Sequence, residues 1–180
     1  AWRERVVRWA AVFCHASRQG LRGDRSTAAF ARVIGPEAAC ELAAAQHMPT
    51  AVSLQIGEAL REARERHGLD GFGLLRIDQE RATLIDHLGG CERILKTPLP
   101  LAYRVEIRRL LIVFLIMTPL AVVNRVHWAT PVVTLLVTLP LLAIDKIGTE
   151  LQFPFSTRSL NHLPLDEICG TIEGNLLALL

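Results

Sequence analysis

The side chains most able to do chemistry here are four cysteines and six histidines, and their spacing indicates neither a metal site nor a nucleophile. Cys14, Cys40, Cys91 and Cys169 lie far apart, without a C-x-x-C pair or a nearby histidine cluster. No histidine belongs to an H-E-x-x-H motif, and no serine or cysteine lies in a recognisable nucleophile motif. We therefore predict no catalytic residue, no metal site, no cofactor and no enzymatic activity, and we interpret the cysteines as reduced, mostly buried thiols of a cytosolic compartment.

A second pattern is mechanical rather than catalytic. Thr97-Pro98-Leu99-Pro100 places two prolines one residue apart, shortly before a long apolar stretch. Proline fixes its own φ and disfavours the helical conformation of the residue before it. The four residues therefore predict a rigid, non-helical elbow, and such an elbow can hold the side chain of Leu99 in one direction.

Helical periodicity covers the chain before this elbow. Apolar residues recur mostly at three- and four-residue steps from Trp2 to about Gln19. Pro36 and Pro49 each stand where a helix is expected to begin, and a helix over residues 74–88 is expected to end at Gly89-Gly90. No stretch alternates between apolar and polar residues as a strand would. The sequence therefore predicts an all-α protein.

The first helix also carries several arginines, which leaves two interpretations of its polar face. A basic face suits a membrane surface or nucleic acid, whereas a solvated face is typical of any packed helix. Trp2, Trp9 and Phe13 fall on the apolar stripe rather than among the arginines. We favour the solvated face and predict no nucleic-acid partner.

Charged and apolar residues are segregated along the chain. Residues 1–109 hold 17 of the 20 Lys and Arg and 13 of the 18 Asp and Glu, although 51% of all residues are hydrophobic. The stretch 110–123 contains 14 uncharged residues, which is about 21 Å of helix, and 126–144 contains 19, which is about 28 Å. A hydrocarbon core is about 30 Å thick, so the first stretch must be extended by residues near Tyr103.

These two stretches predict a transmembrane hairpin turned at Asn124-Arg125, with Trp128 near the interface. The alternative is a pair of buried core helices in a soluble α-protein. Because most Lys and Arg precede the first stretch, the positive-inside rule places both flanking regions in the cytosol. The predicted division is a mainly cytosolic helical region over 1–104, spans over 105–123 and 126–144, and a cytosolic tail over 145–180.

Several separated motifs, in order, resemble those of the bestrophin family, in particular its prokaryotic members. The matching residues are Glu92-Arg93-Ile94, Thr97-Pro98-Leu99-Pro100, Tyr103, Glu150, Pro154-Phe155, Asn161 through Cys169, and Asn175. The resemblance implies a membrane ion channel made of five identical subunits around one pore. It also implies four transmembrane helices, of which this sequence would hold the last two, without the pore neck that lies on the second.

The same resemblance assigns a role to the elbow. The apolar residue before the second proline forms the cytosolic aperture in this family, and that position is Leu99 here. Thr97, Pro98 and Pro100 would then support the aperture. Five apolar side chains around an axis can restrict ions by size and by the cost of dehydration.

Other expectations concern ions and partners. Animal family members hold calcium with acidic residues after the Pro-Phe pair, but residues 156–161 contain no carboxylate, so we expect no such site. Expected partners are further copies of the chain, membrane lipids and permeant monovalent ions, with anion or cation selectivity left open. The competing hypothesis is a membrane-associated helical scaffold that oligomerises through its apolar hairpin and conducts nothing.

Overall fold

A computed structural model describes residues 2–97, 100–157 and 162–180 of the chain, and these residues form helices and no strand. The helices are α1 (Trp2–Arg22), α2 (Ala28–Ile34), α3 (Pro36–Ala44), α4 (Met48–His67), α5 (Gly71–Lys96), α6 (Leu101–Val126), α7 (Thr130–Glu150) and α8 (Leu165–Leu177), with a short 3-10 turn at His127–Ala129. The all-α prediction is confirmed.

The chain divides into two units. The first, the bundle, comprises Ala1–Lys96 and Leu163–Leu180, and so contains α1 to α5 and α8. The second, the hairpin, comprises Thr97–His162 and contains α6 and α7. The C-terminal helix therefore returns to the bundle after the hairpin.

The bundle has a conventional apolar core. Helix α1 packs against α2, α4 and α8. The centre of the core contains Val12 of α1, Phe30 of α2 and Leu60 of α4, all of them buried. Trp9 packs against this core from its edge. The burial of apolar side chains holds these helices together, since most of the stability of a helix in a protein comes from packing of its apolar face.

Local signals define several helix ends of the bundle. Pro36 is the first residue of α3 and Pro49 the second of α4, as predicted. The proline ring suits this position because the first helical N–H groups have no intrahelical partner. Gly35 between α2 and α3 has φ of 90°, and Gly68 after α4 has φ of 69°, conformations that cost glycine little.

The predicted stop at Gly89-Gly90 is wrong. Helix α5 continues through both glycines to Lys96. Each glycine costs a helix about 1 kcal/mol relative to alanine, which weakens but does not end it. Contacts on either side compensate, because Leu88 is buried in the core and Glu92 is bound by His47, the residue that caps α4.

The hairpin turns later than predicted. Asn124 and Arg125 lie in the last turn of α6, and the chain reverses at His127, whose φ is 45°. Neither Asn nor Arg ends a helix by itself, whereas a positive φ does. Trp128, in the turn, is 88% exposed. Helices α6 and α7 then pack against each other.

Candidate functional site

The elbow lies where the hairpin unit begins. Thr97 is outside any helix, and Pro100 has φ of −49° and ψ of 135° as the residue before α6. The carbonyl of Pro100 accepts the backbone N–H of Tyr103 at 3.0 Å, which starts the first turn of the helix. Pro98 and Leu99 lie outside the described residues. The aperture at Leu99 therefore stays a prediction.

The last turns of α5 are held to the bundle by a polar cluster. His47 caps α4, its Nδ1 accepting the backbone N–H of Thr50 at 3.3 Å. Its Nε2 donates to Glu92 Oε1 at 2.6 Å, and Lys96 Nζ donates to Glu92 Oε2 at 3.1 Å. The bond from His47 is the largest reason that the pKa of Glu92 lies below its usual value. Glu92 thus anchors the last turns of α5.

A buried carboxylate connects α8 to the rest of the bundle. Glu173 is only 7% exposed, and it binds Arg32 of α2 in a two-point fashion at 3.1 Å and 2.6 Å. His15 of α1, itself buried, donates from Nε2 to Glu173 Oε2 at 2.7 Å. We call these three residues the Glu173 network. Burial would raise the pKa of Glu173, but the bonds from Arg32 and His15 outweigh it and lower the pKa.

A second ionic contact lies about two helical turns nearer the start of α8. Asp166 Oδ1 accepts from Arg18 at 2.6 Å, and its Oδ2 accepts from Arg22 at 2.5 Å. The bond from Arg22 contributes most to lowering the pKa of Asp166. Asp166 is also in the first turn of α8, where a negative charge interacts favourably with the helix dipole.

The cysteines are all free thiols, but the expectation that most are buried is wrong. Cys169 alone is buried, Cys14 and Cys91 are half-buried, and Cys40 is exposed. Cys169 Sγ donates to the carbonyl of Cys14 at 3.4 Å, which joins α8 to α1. Burial raises the pKa of Cys14 to about 11, and it raises that of Cys169 as well. Both thiols are therefore protonated at neutral pH and are poor nucleophiles.

Sequence reasoning missed the Glu173 network. Glu173 is separated from Arg32 by 141 residues and from His15 by 158, so no local spacing relates them. The available signal was an acidic residue in the second half of a C-terminal helix whose other acids, Asp166 and Glu167, both lie in its first turn. Among the described residues, no group of three His, Cys, Asp or Glu side chains could hold a metal ion.

The hairpin differs from the bundle because its apolar side chains are exposed rather than buried. The helical stretch Ala102–Glu150 is long and apolar enough to cross a membrane, with a mean hydropathy of 1.9 in its best window and none of that window buried. The turn at His127 divides it into α6, with 26 residues or about 39 Å, and α7, with 21 residues or about 32 Å. No described side chain of α6 or α7 is buried within the chain, which counts against the alternative of two buried core helices.

Comparison with known proteins gives a consistent result. The family model described as Bacterial/Fungal Bestrophin protein matches residues 1–178. A protein from Nostoc sp. named as a voltage-dependent anion channel-forming protein is 33% identical over 171 residues, which is 95% of this chain and 55% of the relative. The protein YneE of Salmonella typhi, with the same description, is 33% identical over 174 residues, covering 97% of this chain and 57% of that protein.

Solved structures extend the likeness to the fold. The crystal structure of a bacterial bestrophin homologue from Klebsiella pneumoniae superposes with a TM-score of 0.90 at 32% sequence identity. The match covers 98% of this chain and 65% of that one. The chain thus spans a little over half the length of these curated relatives and about two thirds of the solved chain. These relatives are described as channel-forming or bestrophin proteins, and the descriptions name no catalytic activity.

Proposed function

Because this chain belongs to the bacterial and fungal bestrophin family, we propose that it is a membrane channel subunit that conducts ions passively. The observation that carries the proposal is the match of nearly the whole chain, bundle and hairpin together, to a solved bestrophin homologue. The descriptions of the Nostoc and Salmonella relatives support anions such as chloride as the permeant ions. Passive conduction requires no catalytic residue.

The channel would be made of several copies of the subunit. One hairpin of two helices cannot enclose a path for water and ions, so the pore requires further chains around a shared axis. We propose the homopentamer that the family resemblance implies. The exposed apolar surface of α6 and α7 supports this arrangement, because part of it can contact lipid and part of it can contact neighbouring subunits.

Both helices of the hairpin would cross the plasma membrane. The proposed spans are 105–123 and 126–144, with the mainly cytosolic region 1–104 and the tail 145–180 on the same side. The basic residues at the open end of the hairpin, among them Arg104 and Arg108, support a cytosolic position for that end. Attaching a fluorescent protein to the C-terminus tests the orientation: fluorescence indicates a cytosolic end, and alkaline phosphatase activity of the corresponding fusion would contradict it.

Conduction is tested with the full-length protein in planar lipid bilayers. We expect single-channel currents whose reversal potential, under a NaCl gradient, moves towards the chloride equilibrium potential. Replacing sodium by choline should leave an anion current unchanged, and it would abolish a sodium current. Complete absence of current under both conditions would reject the channel and favour the non-conducting scaffold.

Leu99 is the proposed cytosolic aperture, supported by Thr97, Pro98 and Pro100. Replacement of Leu99 by Ala removes most of a branched side chain from each subunit and should widen the ring, which raises conductance or alters permeability ratios. Ile94→Ala, an exposed apolar position on α5, is the control with a similar loss of volume. Permeability ratios and conductance equal to those of the unaltered channel would remove the assignment of Leu99.

A further inference from the structure

A cavity of about 290 Å³ lies between α6 and α7, at the end of the hairpin where α6 begins and α7 finishes. Its polar lining comes from Tyr103, Arg104, Arg108, Asp145, Thr149 and Gln152. Its volume is near the lower end of the range for small-molecule sites, about 300 Å³. None of the described residues that line this cavity belongs to the proposed aperture.

The cavity lies at the boundary between charged and uncharged chain on both helices. On α6 the last charge before the long uncharged stretch is Arg109, and on α7 the first charge after it is Asp145. Arg108 Nε lies 3.8 Å from Asp145 Oδ2, so the two boundaries are at the same level. The side chains of Ile107 and Ile144 also line the cavity, which gives it an apolar side next to the polar one.

Two polar atoms in the cavity lining lack partners. Arg104 Nε is buried and forms no hydrogen bond with any described residue, and neither does the buried Gln152 Oε1. Asp145 is the one acid of the lining and lies beside Arg108, which leaves Arg104 without an ion-pair partner in the described part of the chain. A buried donor without a partner costs about 1–3 kcal/mol, more for a charged group, so a ligand that supplies an acceptor is favoured.

We infer that this cavity binds the phosphate of an anionic phospholipid headgroup. Arginine is well suited to phosphate, because its planar guanidinium donates two parallel hydrogen bonds. Arg104 and Arg108 stand one helical turn apart on α6 and can approach one phosphate from the same face. Gln152 Oε1 can accept a hydrogen bond from a headgroup hydroxyl, which phosphatidylglycerol carries.

The apolar side of the cavity favours a lipid over free phosphate. Ile107 and Ile144 are exposed to the same surroundings as the uncharged surface of the hairpin, so they can contact the first carbons of an acyl chain. Anionic lipids are attracted to basic residues near the membrane surface, by about 1 kcal/mol for each residue. The inference rests on the proposed position of α6 and α7 in the membrane.

The experiment measures binding to the full-length protein, purified in detergent and freed of lipid. Thermal unfolding is followed while phosphatidylglycerol, phosphatidylcholine or inorganic phosphate is added, since a ligand of the folded state raises Tm. We expect saturable stabilisation by phosphatidylglycerol, a much weaker effect of phosphatidylcholine and none from inorganic phosphate. Equal stabilisation by inorganic phosphate would make this a site for the free anion and overturn the lipid assignment.

Variants locate the site. Arg104→Gln should raise the apparent Kd for phosphatidylglycerol at least tenfold, and Arg104→Lys should recover part of the affinity. Arg109→Gln removes the same charge one residue outside the cavity and should leave the Kd within about twofold. If Arg104→Gln, folded by circular dichroism and of unaltered oligomer size, binds with unchanged affinity, the site is not here.

The outcome is separable from that of the conduction test. Currents are measured in phosphatidylcholine bilayers that contain no phosphatidylglycerol, so a failure of lipid binding does not remove them. Conversely, saturable binding lost in Arg104→Gln would stand even if the protein conducted nothing.

Discussion

The bundle and the hairpin use apolar side chains in opposite ways. In the bundle, residues such as Phe30 and Leu60 are almost completely buried between helices. In the hairpin, Phe114 is 50% exposed and Leu136 is 71% exposed, although both lie near the middle of long helices. The bundle buries its apolar side chains within the chain. The apolar side chains of the hairpin are exposed on the chain, and contact with lipid or another subunit would remove them from water. The two regions of one chain therefore differ in how apolar surface is kept from water.

The ionic groups show the same contrast. Across the bundle, ion pairs join distant helices, as the Glu173 network does for α1, α2 and α8. In the hairpin, Arg108 and Asp145 form the one ion pair within the described residues, and it lies at the open end of the hairpin rather than along its length. Charge inside a hydrocarbon layer is expensive, so the charges of a spanning hairpin are confined to its ends.

The largest expected effect distinguishes a buried phenylalanine from an exposed one. Phe30→Ala should lower the free energy of unfolding of the bundle by about 3–5 kcal/mol, because it leaves a cavity in a packed core. Phe114→Ala should change it by less than about 0.5 kcal/mol, since the ring has no place in that core. Chemical denaturation followed by tryptophan fluorescence measures both, with Trp9 as the reporter inside the bundle. Equal losses for the two variants would break the distinction between the regions.

The next largest effect is a loss of membrane insertion, tested by placing arginine at an exposed leucine of the hairpin and at one of the bundle. Leu136→Arg places a charge near the middle of the proposed span 126–144 and should cost about 2.5–3.5 kcal/mol of membrane insertion. Leu54→Arg alters a similarly exposed leucine of α4, 61% exposed, and should be nearly neutral because that surface faces water. The fraction of each variant recovered in washed membranes is the measurement. Normal insertion of the α7 variant would contradict a spanning helix.

A smaller effect concerns the carboxylate that binds α8. Glu173→Gln keeps the size of the side chain but removes the charge, so the bonds from Arg32 and His15 weaken. We expect a loss of about 2 kcal/mol in unfolding free energy, the usual range for hydrogen bonds to charged groups being about 1.5–3 kcal/mol. Glu167→Gln, on the exposed side of the same helix, is the matched control and should change little. If the two variants lose the same stability, Glu173 does not hold α8.

The smallest effect is the pH dependence of that contribution. The pKa of Glu173 is lower in the folded protein than its ordinary value of 4.5. Its charge therefore stabilises the fold at every pH above that ordinary value, and the contribution is lost as pH falls through the lower folded pKa. Melting temperatures of the unaltered protein and of Glu173→Gln should differ by a constant amount above about pH 5.5 and converge in acid. A difference that instead grows in acid would mean that the folded pKa is raised.

Much of the local architecture could be predicted from the sequence. Pro36 and Pro49 begin helices because the first helical residues need no N–H partner, and that rule depends on no distant contact. The same local reasoning failed at Gly89-Gly90, where contacts of Leu88 and Glu92 elsewhere in the bundle sustain α5. It also placed the hairpin turn before the true reversal at His127.

What the sequence by itself determined is the helical class, the division into a charged and an apolar region, and the family motifs, because composition and short-range periodicity suffice for these. The tertiary structure alone decided which charges meet. Glu173 meets Arg32 and His15 across more than 140 residues, and Arg108 meets Asp145 only because the hairpin closes. Contacts between distant residues depend on how helices pack, and packing is a property of the whole fold rather than of any segment.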